Sequence, residues 1–190
     1  GFMDTESKSA VELFMQHYYR HVMALSDVND IVLQHFQEDM TAKERPSLER
    51  LNDRFRLINR RIDITEPGVF LRNPSAMLEM FFLMAQREEN IRVRVRTIRA
   101  LREAVHLIDD DFRCDPENCR LFLSILKSPY TVVTQLTLMR RYGVLGRYLP
   151  AFGDIVGQMQ HDLFHIYTVD AHTMMVIRNM RRFRYDHALE

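Results

Sequence analysis

Between Ser7 and Gln37 apolar side chains return every third or fourth residue, at Val11, Phe14, Met15, Tyr18, Val22, Leu25, Val28, Val32, Leu33 and Phe36. That spacing lays them along one side of an α-helix and does not fit the two-residue repeat of a strand. Glu12, Arg20, Asp27 and Asp30 fall between them. A chain that commits its opening stretch to one long amphipathic helix must build its core largely by helix packing. Twelve Met and twelve Phe supply flexible and aromatic packing groups for it.

The period changes once. Phe55-Arg56-Leu57-Ile58 and Arg61-Ile62-Asp63-Ile64 alternate, with Asn59 suited to a positive-φ turn between them, so a hairpin is predicted. Glu66-Pro67-Gly68 reads as a turn, and Val69-Phe70-Leu71 offers a third short strand. Asn73-Pro74 is read as the start of a helix carrying Met77, Leu78, Phe81, Phe82, Met84 and Ala85. Ile91 to Arg99 alternates like a strand, yet Ile91, Val95, Ile98, Leu101 and Val105 share a helical face, so a helix is predicted from Arg94 to Ile108. Further helices are expected from Asp115-Pro116 to Leu126, and from Pro129 to a stop at Gly143. One short turn is expected over Leu145–Leu149, loop over Pro150–Met159, and a last helix over Ala171–Phe183 capped by Asp170. The fold class is therefore mainly α, a bundle-like helical domain with one small antiparallel hairpin or three-stranded sheet.

The chain has 190 residues, enough for roughly one domain. Its 26 basic and 26 acidic side chains cancel, which argues against a global electrostatic grip on nucleic acid or anionic lipid. Cys114 and Cys119 match neither a disulfide framework nor a zinc-ligand spacing, and read as cytosolic thiols. No signal peptide and no apolar stretch of membrane-spanning length is present, so a cytoplasmic location is expected. A start without a helix cap and an end inside a charged helix suggest a piece cut from something longer, with Leu189-Glu190 as a cloning scar.

Several residue patterns invite chemistry. The strip Arg87, Arg92, Arg94, Arg96, Arg99 and Arg102 suits phosphate, but a solvated face paired with Glu88, Glu89 and Glu103 accounts for it equally. Asp109-Asp110-Asp111 contains the D-x-D by which nucleotidyltransferases hold Mg²⁺; without a Gly-Ser or Gly-Gly phosphate turn upstream it reads as an acidic surface loop. His161-Asp162 copies the metal-binding pair of HD phosphohydrolases, yet the first ligand His should precede that pair, and His172 follows it. His17 and His21 share a helical face, with no third ligand evident.

The stretch Ile155 to Thr173, IVGQMQHDLFHIYTVDAHT, resembles a segment of the bacterial protein-PII uridylyltransferase/uridylyl-removing enzymes, where it leads into an HD domain. Tyr18-Tyr19-Arg20, Val69 to Pro74 and Gly143 to Pro150 are similar to the central region of the same enzymes. The resemblance implies a parent of four parts: a nucleotidyltransferase domain, this helical region, an HD hydrolase domain and two ligand-sensing domains. Such enzymes transfer uridylyl from UTP to the PII signal protein when glutamine is scarce and remove it when glutamine is plentiful, with Mg or another divalent metal.

On that resemblance residues 1–165 are the central helical domain and residues 166–190 the first helix of the HD domain. His172 alone corresponds to a functional position, the first metal-ligand His. No catalytic or cofactor-binding residue is expected here. Asp170 is assigned to helix capping, Asp162 and His165 to linker packing. The region is expected to be a scaffold or PII-docking domain without catalysis, whose Met- and Phe-rich faces pack on neighbouring domains and are exposed, and prone to self-association, without them. Two other readings stay open: the helical region of a glutamine synthetase adenylyltransferase, which lacks an HD domain, and a stand-alone helical interaction module.

Overall fold

A reciprocal pair of side chains opens the first helix, where the sequence reading saw no cap. The Glu12 N–H donates to the Ser9 hydroxyl at 3.2 Å, and the Ser9 N–H donates to the Glu12 carboxylate at 3.0 Å. The helix that follows, α1, runs over Ala10–Thr41 for 32 residues. The computed structural model describes residues 2–3, 9–41, 46–159 and 167–186. The polar linker after α1 lies mostly outside the described residues, as do His161, Asp162, His165 and Leu189-Glu190.

The chain divides into two compact units, residues 30–148 and residues 1–29 with 149–190. The first contains a small sheet of β1 (Leu48–Arg50), β2 (Phe55–Ile58), β3 (Arg61–Ile64) and β4 (Arg92–Val93), in that order. β1–β2 and β2–β3 are antiparallel; β3–β4 is parallel. The predicted hairpin is β2–β3, and its turn residues Asn59 and Arg60 both take positive φ, 50° and 60°, the two-residue geometry that matches strand twist. The sheet has four strands where at most three were expected. Val69–Arg72 is not one of them but a helical turn, α2, because Gly68 at φ 78° turns the chain and Arg72 and Asn73 bond back to Gly68 and Val69.

α3 (Ala76–Ala85) begins after a tight turn at Pro74-Ser75, two residues later than predicted. α4 (Val95–Ala104) continues into a 3-10 turn over Val105–Leu107. The ambiguous segment thus obeys both of its patterns: two residues pair as β4, and the chain becomes helical from Val95. α5 (Asp110–Cys114) and α6 (Pro116–Lys127) are each capped by an aspartate, Asp109 and Asp115. α7 (Val132–Arg141) starts three residues beyond Pro129 and ends at Gly143, φ 83°. α8 (Val144–Tyr148) closes this unit.

Its core forms where the inner face of the hairpin, Phe55, Leu57, Ile62 and Ile64, meets Phe70, Ile98 and Leu101. α3 packs on α6 and α7 and buries Met77, Leu78, Met80, Phe81 and Met84.

The other unit holds the first part of α1, α9 (Pro150–Ile155) and α10 (Val169–Asp186). α9 forms where loop was expected; Pro150 occupies its first turn, as proline favours.

The apolar stripe of α1 is exposed: Phe14 is 50% accessible, Leu25 71% and Phe36 62%. The side of α1 that turns inward carries polar groups, among them Gln16 at 7%. Replacing Leu25 and Val28 together by Gln is therefore expected to leave the unfolding free energy within about 1 kcal/mol of the parent chain. A loss above about 3 kcal/mol in urea denaturation, the signature of buried aliphatics, would show that this face is packed.

Candidate functional site

The strongest concentration of charge surrounds two carboxylates. Asp63 is fully buried on β3 and is reached by three arginines. The Arg96 Nε and Nη2 groups donate to its two oxygens at 2.5 and 2.8 Å, Arg56 donates at 3.1 Å, and the Thr97 hydroxyl at 3.2 Å. Arg94 stands 3.8 Å away and also donates to Glu38 at 3.3 Å. Glu38, on the last turns of α1, pairs with Arg61 and accepts the Val95 N–H at 3.2 Å, at the start of α4. The hairpin register explains half of this, since Arg56 and Asp63 are directly opposed across β2–β3.

This cluster corrects the reading of the arginine strip. Arg94 and Arg96 serve Asp63 and Glu38, and Arg87 pairs with Glu49 at 2.5 Å, so their counter-ions are not Glu88, Glu89 and Glu103. Glu89 pairs instead with Arg60. Guanidinium groups that spend their donors on protein carboxylates fix strands to helices and have few left for phosphate.

A second ion pair, Arg54–Glu79, is bidentate at 2.6 and 2.8 Å and anchors the loop before β2 to α3. The hydrogen bonds that Arg54 donates to Glu79 hold its guanidinium above its ordinary basicity. Near α1, a groove of about 470 Å³ is lined by Gln34, Gln37, Arg92, Arg141 and Tyr142 among others. Arg141 pairs there with Asp30, and Gln34 donates to the Val93 carbonyl along the outer edge of β4.

The remaining sequence candidates take structural places. Asp109 accepts the Phe112 N–H at 2.9 Å, and Asp110 pairs with Arg113, so the triple aspartate is a helix start with exposed charges. The His17 and His21 rings lie 4.2 Å apart with their planes tilted by 48°, and the His21 ring bonds to the His17 carbonyl. Cys114 and Cys119 are free thiols. Cys119 lies beside the buried Tyr148, whose hydroxyl is pushed well above its ordinary value, first by burial and then by that thiol. A phenol raised in the folded state keeps its full contribution below the unfolded value near 10 and loses it above. Stability is thus expected to fall as pH rises beyond about 10, and Tyr148→Phe should flatten that fall in urea denaturation.

His172 is exposed on α10, one turn from its start. Among the described residues no three His, Cys, Asp or Glu side chains gather closely enough to hold a metal. The described residues alone therefore do not fit a catalytic metal centre.

Asp170 is not the helix cap predicted. It lies inside the first turn of α10, fully buried, and accepts the Gly157 N–H at 3.0 Å. The end of α9 is in turn held from α1. Gln16 donates to the Asp154 and Val156 carbonyls at 2.7 and 3.2 Å, and Arg20 donates to Val156 and Gly153 at 2.9 and 3.1 Å. Sequence reasoning missed both carboxylate clusters and this clasp. Only the opposition of Arg56 and Asp63 was available beforehand, from the hairpin register.

The described residues make a mainly helical domain with one small sheet, its elements locked together by buried polar groups. A family model described as the uridylyltransferase GlnD third domain matches residues 55–148. The chain is 54% identical over 183 residues to a bifunctional uridylyltransferase/uridylyl-removing enzyme of Pseudomonas aeruginosa, covering 96% of this chain and 20% of that protein. It is 53% identical over 186 residues to the enzyme of that name from Pseudomonas putida, and 49% identical over 190 residues to that of Pseudomonas savastanoi, covering 97% and 100% of this chain and 21% of each relative. No solved structure matches. Residues 55–148, just under half of the chain, are thus similar to the uridylyltransferase third domain. The chain spans about a fifth of the length of the relatives it matches.

Proposed function

We propose that this chain is the central helical part of a bifunctional enzyme that attaches uridylyl groups from UTP to the PII signal protein and removes them again in response to glutamine. Within that enzyme it is a scaffold without catalysis of its own. The observation that carries this reading is the identity of about half the residues over nearly the whole chain to enzymes named uridylyltransferase/uridylyl-removing. The saturated ion clusters around Asp63 and Glu38 suit a rigid spacer.

On this reading residues 1–165 form the helical domain, and residues 166–190 begin the HD hydrolase domain, with His172 as its first metal ligand. The metal, Mg or another divalent ion, and UTP belong to the neighbouring nucleotidyltransferase and HD domains, and the enzyme works in the cytoplasm. Nucleic acid and membrane are not among its partners. Among the described residues no helix is long and apolar enough to cross a membrane.

A PII pull-down and a uridylylation assay, run on this chain beside the full-length protein, test the proposal. The full-length protein should transfer and remove uridylyl groups while this chain alone does neither. Turnover of UTP with PII by this chain alone would refute the scaffold role. Failure of the full-length protein to modify PII would refute the parent activity.

A further inference from the structure

The clasp of Gln16, Arg20, Gly157 and Asp170 joins three helices through backbone groups. α9 is only six residues long, so its last carbonyls reach for donors beyond the helix; that of Gly153 also accepts the Val156 N–H at 3.3 Å. Gln16 and Arg20 of α1 occupy them, and the Arg20 charge sits at the helix end that attracts cations. The chain then turns at Gly157 with φ 71°. A methyl group there would lie 3.0 Å from Arg20 Cγ and 3.2 Å from the Gln16 carbonyl oxygen. Both the sign of φ and the closeness of α1 require glycine. From the other side Asp170 spends a fully buried carboxylate oxygen on the Gly157 N–H, and the Val169 N–H donates to the Gln158 carbonyl at 2.8 Å.

We propose that Asp170 is a positioning residue: through Gly157 it fixes the first turn of α10 against the end of α9 and the side of α1, and so sets where the helix carrying His172 begins. This rests on the reading of α10 as the first helix of the hydrolase domain. Asp170 touches no reacting group on this view. It acts by holding, two residues away, the backbone from which His172 projects. In the parent enzyme the removal of uridylyl groups then depends on the clasp, and their transfer does not.

The test uses the full-length protein and two readouts. Asp170→Ala should speed hydrogen exchange at the Gly157 amide about tenfold or more, the loss expected for a charge-assisted bond. Asp170→Asn keeps an acceptor oxygen and should restore most of the protection. Gly157→Ala approaches the joint from its other side and should loosen the start of α10 with Asp170 intact. In parallel, Asp170→Ala should lower uridylyl removal about tenfold while transfer stays within about twofold, with Asp170→Asn again restoring activity.

Unchanged exchange at Gly157 in Asp170→Ala would overturn the proposal, whatever the activities do. Faster exchange with an equal loss of both activities would overturn it too, showing a general structural role. If the wild-type full-length protein removes no uridylyl group, the parent reading falls and the claim for the His172 helix with it. Exchange at Gly157 would still decide whether Asp170 holds the joint.

Discussion

Asp63→Ala is expected to lower the unfolding free energy by about 3 kcal/mol, the scale for removing one partner of a buried ionic cluster. The carboxylate is fully buried, and its loss removes the counter-ion that Arg56, Arg94 and Arg96 share, with Glu38 still paired to Arg94. The arginines are 33%, 29% and 43% exposed, so water absorbs part of the repulsion and the cost falls at the lower end of the range. Added salt should recover part of the loss, because it screens like charges that reach solvent. Chemical denaturation at two ionic strengths reads both effects. A loss below about 1 kcal/mol, the scale of an exposed pair, would mean that Asp63 is ornamental to the fold.

Phe81→Ala should cost about 4 kcal/mol, because it removes a fully buried aromatic ring from the centre of α3, a helix that packs on α6 and α7. Its neighbour offers an internal control. Phe82 is half-buried on the flank of the same helix, so Phe82→Ala should cost clearly less. Equal losses in urea denaturation would mean that α3 is rotated from the position described, and the assignment of its packed side would fail.

The two substitutions sample what the sequence made legible and what it concealed. The burial of Met77, Leu78, Phe81 and Met84 follows from apolar spacing, and the hairpin follows from alternation around a turn that tolerates positive φ. The aspartate caps at Asp109 and Asp115 are equally local. What stayed hidden depends on residues far apart in the chain. β4 is two residues long and exists only because β3 offers a free edge to the parallel pair Arg61–Arg92 and Ile62–Val93. Val69–Leu71 has strand-like composition but no such edge, and Gly68 turns it helical. The polar side of α1 is the plainest case. Gln16, Arg20, Gln34 and Glu38 look like a solvated face, and each finds a fixed partner on another element. Asp170 looked like a cap by its place before a helix; its carboxylate turns back to Gly157 instead. The metal-ligand reading of His172 came from resemblance alone and sits on an exposed helix position.

The Asn59-Arg60 turn also orders events in time. A two-residue turn between adjacent strands closes within about 1–10 µs, and the cross-strand bonds of β2 and β3 need nothing else in the chain to form. The parallel partner lies roughly thirty residues further on, beyond α2 and α3, and carries the larger loop-closure cost. The hairpin is therefore expected to form early in this unit and β4 late, once the chain between them has closed. In a folding-rate series, damage in the Asn59-Arg60 turn should slow refolding, whereas damage at Val93 should chiefly hasten unfolding.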